Sequence, residues 1–291
     1  MGEVTMAPSD ERTGIRCGER FTTYEDLYGR ALRATRGLLE LGVGAGDRVA
    51  LLLRNSIEFV EASIATVPLG AAKVPINWHW RGEEVAYVLS DSRAKALVVH
   101  EDLWPAIRAS VPDGVAVIVV PTDVDTRSPT GAVSGTRADP DSSVARGRDG
   151  DELWWPDWLE GNEPWAQAPQ TAPPSIIYTS GTTGRPKGVV RGASTDAQRD
   201  ALRALFEAIF GLGPGERTVI PAPMYHSAPN AYVSAAVIHG MHMALMTRFD
   251  PEEFLRVVEE ERVTVVQMVP TMFVRLLALP EAVRTRYDLS S

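Results

Sequence analysis

Two hydrophobic periods alternate along the first 121 residues. In "TTYEDLYGRALRATRGLLELG" apolar positions recur every three to four residues, the spacing of an amphipathic helix. Thr22 or Thr23 is placed to cap its start and Gly42 to end it. The "DRVALLL" that follows is short and continuously apolar, as a strand buried on both faces must be. The exchange then repeats: "SIEFVEASIATVPLG" predicts a helix ending near Gly70, "AKVPIN" a strand, "RGEEVAYVLSDS" a helix and "AKALVVH" a strand. "LWPAIRASV" and "GVAVIVVP" continue it as helix and strand. This rhythm predicts an α/β fold of parallel strands with helices on the sheet faces.

From Thr122 the pattern stops. "TDVDTRSPTGAVSGTRADPDSSVARGRDGD" is rich in Gly, Pro, Ser, Asp and Arg, has no sustained apolar period and is expected as a mobile surface insertion or linker. The "ELWWPDWLEG" after it supplies apolar anchors to dock it on the body. Order returns at Ser175 with "SIIYTS" as a strand, "DAQRDALRALFEAIF" a helix, "ERTVIPAP" a strand, "AYVSAAVIHGM" a helix and "MALMTR" a strand. "DPEEFLRVVEEERV" opens with Asp250 as N-cap and acids in the first turn, favourable at the positive end of a helix. "TVVQMVP" and "TMFVRLLALP" add a last strand and helix. The expected organisation is a first α/β subdomain over 1–121, an insertion with a Trp-rich anchor over 122–170, and the start of a second α/β subdomain over 171–291.

Composition narrows the function classes. A net charge of −9 opposes general nucleic-acid binding, which needs a basic face, so an anionic ligand requires a local positive site. A single cysteine, Cys17, excludes an internal disulfide framework and a Cys-rich metal site. The longest semi-apolar run, Ala231 to Met246, is broken by His239, Gly240 and His242 and is too short to span a bilayer. A cytoplasmic protein is expected, with peripheral attachment to a membrane left open.

The chemistry concentrates in "SIIYTSGTTGRPKGVVR". Thr179, Ser180, Thr182 and Thr183 offer hydroxyls, and Gly181 and Gly184 let an anion approach the main chain. Pro186 stiffens the exit and Lys187 brings a cation. The strand before this loop predicts a place at the carboxyl edge of the sheet, where open α/β folds bind ligands. It is not a Walker A loop, because Lys187 stands between Pro186 and Gly188 and no Gly-Lys-Ser/Thr opens a helix. The plain alternative is a Gly/Thr-rich hairpin turn; so dense a set of phosphate-compatible residues favours phosphate binding.

"YTSGTTGRPKGVV" closely resembles the phosphate-loop signature of the adenylate-forming superfamily, which includes acyl-CoA synthetases, luciferases and peptide-synthetase adenylation domains. "FTTYEDL", "GDRVALLLRNSIEFV", "VPINWHWRGEEVAYVLSDS", "PAPMYHSAP" and "EERVTVVQMVPTMFVRLL" extend the resemblance along nearly the whole chain, most like a fatty or related acyl-CoA synthetase. The resemblance implies the N-terminal part of that fold, largely parallel sheets flanked by helices, with the C-terminal domain absent. It implies a carboxylate attacking the α-phosphorus of ATP, expulsion of pyrophosphate, and transfer of the acyl group to CoA. Ser180, Gly181, Thr182, Thr183, Gly184 and Lys187 would hold the β and γ phosphates, and Thr179 would help ligate Mg²⁺. The rivals are an acyl-AMP ligase that loads a carrier protein, and a noncatalytic nucleotide-binding remnant.

In the family, the aromatic-His position matched by His226, with Ser227 after it, lies beside the acyl carboxylate. Pro229, Asn230 and Tyr232 stand where some long-chain members carry an aromatic gate, which puts chain length in doubt. Pro270, Thr271 and Met272 are a candidate wall of the acyl pocket, though Met and Phe at this spacing suit plain core. Trp78, His79 and Trp80 read as packing around a turn rather than a metal site. Arg185 and Arg191 are candidates to attract nucleotide. The chain ends at "RYDLSS", before the family's adenine segment, its Mg²⁺-binding Glu, its ribose-binding Asp and the catalytic Lys. An N-terminal fragment is therefore expected, inactive alone and prone to self-association through apolar surface the missing half would cover.

Overall fold

In the computed structural model, residues 13–122, 152–167, 173–179, 186–190, 192 and 195–291 are described. The first α/β run builds one five-stranded sheet from β3 (Arg48–Leu52), β4 (Ala72–Pro75), β5 (Ala96–His100), β6 (Ala116–Val120) and β7 (Leu153–Trp154). Its order is β4-β3-β5-β6-β7 and every neighbouring pair is parallel. A second five-stranded sheet has the order β12-β10-β11-β1-β2, with β10 (Arg217–Ile220), β11 (His242–Leu245) and β12 (Val265–Val266). Its other two strands come from the chain's beginning: β1 (Gly14–Cys17) lies parallel to β11, with Ile15 opposite Met243, and antiparallel to β2 (Arg20–Thr23). The sheets therefore do not follow the sequence division at residue 121.

Strand alternation explains the continuous apolar runs. Val49 and Leu51 of β3, with Ala96 and Val98 of β5, enter the largest core; Ala50, Leu52, Leu97 and Val99 enter a second core on the opposite face. In β10, Ile220 faces the large core while Val219 faces a third. The large core also holds α1 (Tyr24–Glu40), α2 (Ile57–Ala65) and α6 (Ser227–Ile238); α3 (Gly82–Ser92) covers the second, and α7 (Pro251–Glu260) and α8 (Pro270–Leu277) cover the third. The layers run helix, sheet, helix, sheet, helix. Helix α2 is buried on nearly every side because it lies between sheets.

Local signals held at the caps. Thr23 caps α1, Thr195 caps α5 (Asp196–Phe210) in a capping box, and Asp250 Oδ1 accepts from Glu253 N at 2.9 Å at the start of α7. Two expectations fail. "LWPAIRASV" forms two 3₁₀ turns, Trp104–Ala106 and Arg108–Ser110, in place of one helix. Helix α6 begins at Ser227, ahead of the predicted Ala231, since Pro229 is tolerated within a first turn.

Most of the expected insertion, 123–151 and 168–170, lies outside the described residues. Its Trp-rich end docks on α1 and α2 through α4 (Trp155–Glu160). Trp155 is buried and donates to Glu61 Oε2 at 3.3 Å; Arg33 donates to the Asn162 carbonyl at 2.7 Å. Gly37 makes the contact possible: a Cβ there would stand 2.3 Å from the Trp158 ring.

Candidate functional site

The strand before the phosphate loop does not join a parallel sheet. Residues of β8 (Ile177–Thr179) pair antiparallel with β9 (Lys187–Val189) in a separate two-stranded ribbon. Thr179 is directly opposite Lys187, so both side chains project from one face at the mouth of the connection. Ser180, Gly181, Thr182, Thr183, Gly184 and Arg185, like Arg191, lie outside the described residues. The ribbon is held from below. Gly188 leaves room for Tyr178, whose ring atoms would approach a Cβ to 2.7 Å, and Tyr178 donates to Asp91 Oδ2 at 2.6 Å. Burial and that carboxylate push the Tyr178 hydroxyl far above its usual pKa, so it remains a donor.

Just before β8, the Ile176 amide donates to the Lys73 carbonyl at 3.0 Å, and Ser175 Oγ bonds Asn230 Oδ1 at 2.9 Å. Asn230 is buried in α6 and donates to the Met224 carbonyl at 3.0 Å. Lys73 Nζ donates to Ser234 Oγ at 3.2 Å, one turn along α6, and burial lowers its pKa to about 8. This polar belt ties the ribbon to the helix that carries His226 and Ser227. Sequence reading missed Lys73, Ser175 and Ser234 and gave Asn230 no such role; the available signal was a polar stripe in the otherwise apolar "NAYVSAAVI".

His226 is the N-cap residue of α6 without capping it by its side chain, and Ser227 opens the helix; both are exposed. The Tyr225 ring lies 4.3 Å from the imidazole, and partial desolvation lowers the His226 pKa. At the proposed wall, Met272 is buried and lines a cavity of about 450 Å³, while Pro270 and Thr271 are exposed. Trp78 and His79 line the same cavity, their rings stacked with centroids 3.6 Å apart. Trp78 and Trp80 also pack on the second core, as expected of a turn cluster.

The residues present suit a phosphate better than a metal. Among the described residues no group of three His, Cys, Asp or Glu could hold a metal ion. Thr179 offers one neutral oxygen on the same face as the Lys187 ammonium, which is not a cation site. Among them, too, no helix is long and apolar enough to cross a membrane.

A family described as AMP-binding enzyme matches residues 4–291, and the chain belongs to that family. It is 31% identical over 263 residues to the long-chain-fatty-acid–CoA ligase FadD13 of Mycobacterium tuberculosis, covering 89% of this chain and 46% of that protein. It is 30% identical to a feruloyl-CoA synthase of Amycolatopsis sp, covering 94% and 48%. The N-terminal domain of FACL13 from Mycobacterium tuberculosis superposes with a TM-score of 0.71 at 27% identity, covering 96% of this chain and 64% of that one. The chain thus spans about half the length of the curated relatives it matches. The fold is the N-terminal part of an adenylate-forming ligase.

Proposed function

We propose that this chain supplies the ATP-phosphate and acyl-binding part of an AMP-forming acid–CoA ligase. The observation that carries the reading is the ladder register setting Thr179 opposite Lys187, which puts a hydroxyl and an ammonium on one face at the two ends of the signature. The acid, already ionised at neutral pH, would attack the α-phosphorus; the bond to pyrophosphate breaks, and its charge settles on the turn. The thiolate of CoA would then attack the acyl carbonyl and release AMP. Within the turn, Ser180, Thr182, Thr183 and Lys187 would hold the leaving phosphates while Gly181 and Gly184 admit them. ATP carries Mg²⁺ on its phosphates; the described residues do not themselves define that metal's site. His226 and Ser227, at the start of α6, would border the acyl carboxylate. A fatty acid is the first substrate to try, given the fatty-acid relative, with aromatic acids second, given the feruloyl one.

Carboxylate-dependent ATP–pyrophosphate exchange tests the reading, measured on the complete reading frame with a panel of acids and hydroxylamine trapping. Exchange followed by acyl-CoA formation supports it; acyl transfer to a pantetheinylated carrier but not to CoA would assign the carrier-loading rival. No exchange with any acid would leave the remnant reading standing. Lys187→Ala is expected to lower kcat/KM for exchange by about tenfold to a hundredfold, the worth of one charge-assisted hydrogen bond to phosphate. The 291-residue chain alone is expected to give negligible exchange.

A further inference from the structure

Lys73 breaks the pattern of its strand. In β4 the alternate residues Ala72 and Val74 enter the second core, so Lys73 points from the other face of the sheet, toward α6. Its amine is desolvated there, and its hydrogen-bond partner among the described residues is the neutral Ser234 Oγ at 3.2 Å. The side chains that meet it or its partner from α6 and the ribbon stem are Ser234, Asn230 and Ser175, none of them charged. Burial alone therefore lowers its pKa, from 10.5 to about 8, with no neighbouring charge to assist or oppose.

The contact closes a ring. Ser175 Oγ bonds Asn230 Oδ1 at 2.9 Å, and the Asn230 carbonyl accepts from Ser234 Oγ at 2.8 Å. Ser234 Oγ accepts from Lys73 Nζ, and the Lys73 carbonyl accepts at 3.0 Å from the amide of Ile176, next to Ser175. The Asn230 amide in turn donates to the His226 carbonyl at 3.0 Å. The ring thus joins β4, the stem of the ribbon that ends at Thr179 and Lys187, and the first turn of the helix that carries His226 and Ser227. A two-stranded ribbon holds its place poorly by itself. Tyr178 anchors this one to α3, and among the described residues the ring ties it to α6.

An ammonium held out of water without a counter-charge destabilises a fold. Ser234 does not need it, since its hydroxyl already donates to the Asn230 carbonyl. An apolar side chain would suit the position better, which points to a role other than stability. We propose that Lys73 is a positioning residue for the phosphate turn, holding the ribbon stem in one place relative to His226 and Ser227 while destabilising the fold that carries it. The kinetic part of the test rests on the acid–CoA ligase reading, in which those are the phosphate and acyl ends of one in-line attack. A displacement of about 1 Å between such ends costs up to about a hundredfold in rate.

Hydrogen exchange of the 291-residue chain, read by mass spectrometry beside urea denaturation, compares wild type with Lys73→Met, an unbranched apolar replacement. Peptides spanning 173–179 and 187–190 should exchange about tenfold faster in the variant, with those of α1, α2 and α3 unchanged. Its urea midpoint should be higher than wild type at neutral pH. The folded pKa lies below the unfolded 10.5, so the penalty on the charged amine is complete below about 8 and is relieved as pH rises between these values. The gap in midpoint should therefore narrow toward about pH 10. Ribbon protection equal to wild type, a lowered midpoint with uniform loss of protection, or a gap that persists at about pH 10 would each overturn the proposal. On the complete reading frame, Lys73→Met should lower kcat for ATP–pyrophosphate exchange about tenfold and move the KM values for ATP and acid less than about threefold, because alignment is lost rather than either contact. Ser234→Ala should give the same loss, and the double variant no more than either alone, because both open one ring. An unchanged kcat, or losses that multiply, would also overturn it. If the wild type exchanges with no acid, the ligase reading fails, and the hydrogen-exchange result still decides whether Lys73 holds the ribbon.

Discussion

At residue scale, Asn55 joins the two large sheets. It is buried, and its Nδ2 donates to the carbonyls of Ile220, Ala222 and Met246 at 3.3, 2.9 and 3.0 Å, while Oδ1 accepts from the Met224 amide at 2.8 Å. These backbone groups lie at or just past the ends of β10 and β11. One side chain from the end of β3 thus ties off the opposite sheet and forms one wall of the cavity. Asn55→Ala leaves several buried backbone groups without partners, and a loss of about 3 kcal/mol in unfolding free energy is expected from urea denaturation. Asn55→Asp, nearly isosteric, is expected to lose at least as much, because it turns a carboxylate oxygen toward three carbonyls. Little of this was legible beforehand: the "RNS" turn shows a polar residue between apolar runs, but its partners are main-chain groups some 165 positions away or more.

At the scale of elements, Glu261, just after α7, gathers basic side chains from three strands. His242 Nε2 of β11 lies 2.8 Å from it, Arg16 Nε of β1 2.6 Å, and Arg217 of β10 3.2 Å. The hydrogen bond from His242 leads in lowering the Glu261 pKa; burial opposes it, and the charges on His242, Arg16 and Arg217 assist. A depressed folded pKa stabilises the fold above the unfolded carboxylate value, 4.5 for glutamate, and that stability is lost as pH falls through the lower folded value. In urea midpoints measured against pH, Glu261→Gln is expected to lower stability at neutral pH and to flatten the acid limb; an unchanged limb would remove Glu261 from acid denaturation. The helices and parallel strands meeting here were readable, since strands buried on both faces leave unbroken apolar runs and helices leave caps. The pairing of β1 with β11 was not, because four residues, "GIRC", carry no period and their partners lie at the far end of the sequence. The β8–β9 ribbon shows the same limit in small: the Gly/Thr-rich hairpin was one of the two alternatives its motif offered, while its packing against Asp91 and Lys73 is encoded by no local pattern.

For the whole molecule, burial is uneven. The sheets and inner helices are closed, but α8 turns an apolar stripe outward: Phe273 is 52% exposed, Val274 67% and Leu277 68%. Directly before it, β12 is a sheet-edge strand of two residues, paired with β10 on one side only among the described residues. An apolar helix face beside an open strand edge invites a second polypeptide, and on the free chain that polypeptide is another copy. We expect the 291-residue chain to self-associate, with a sedimentation coefficient that rises with concentration. Phe273→Glu/Leu277→Glu should restore a concentration-independent monomer without lowering the melting temperature, since both side chains are exposed and contribute little to the third core. A wild-type chain that sediments as a monomer at every concentration, with a single cooperative melt, would mean that this surface is satisfied without a partner.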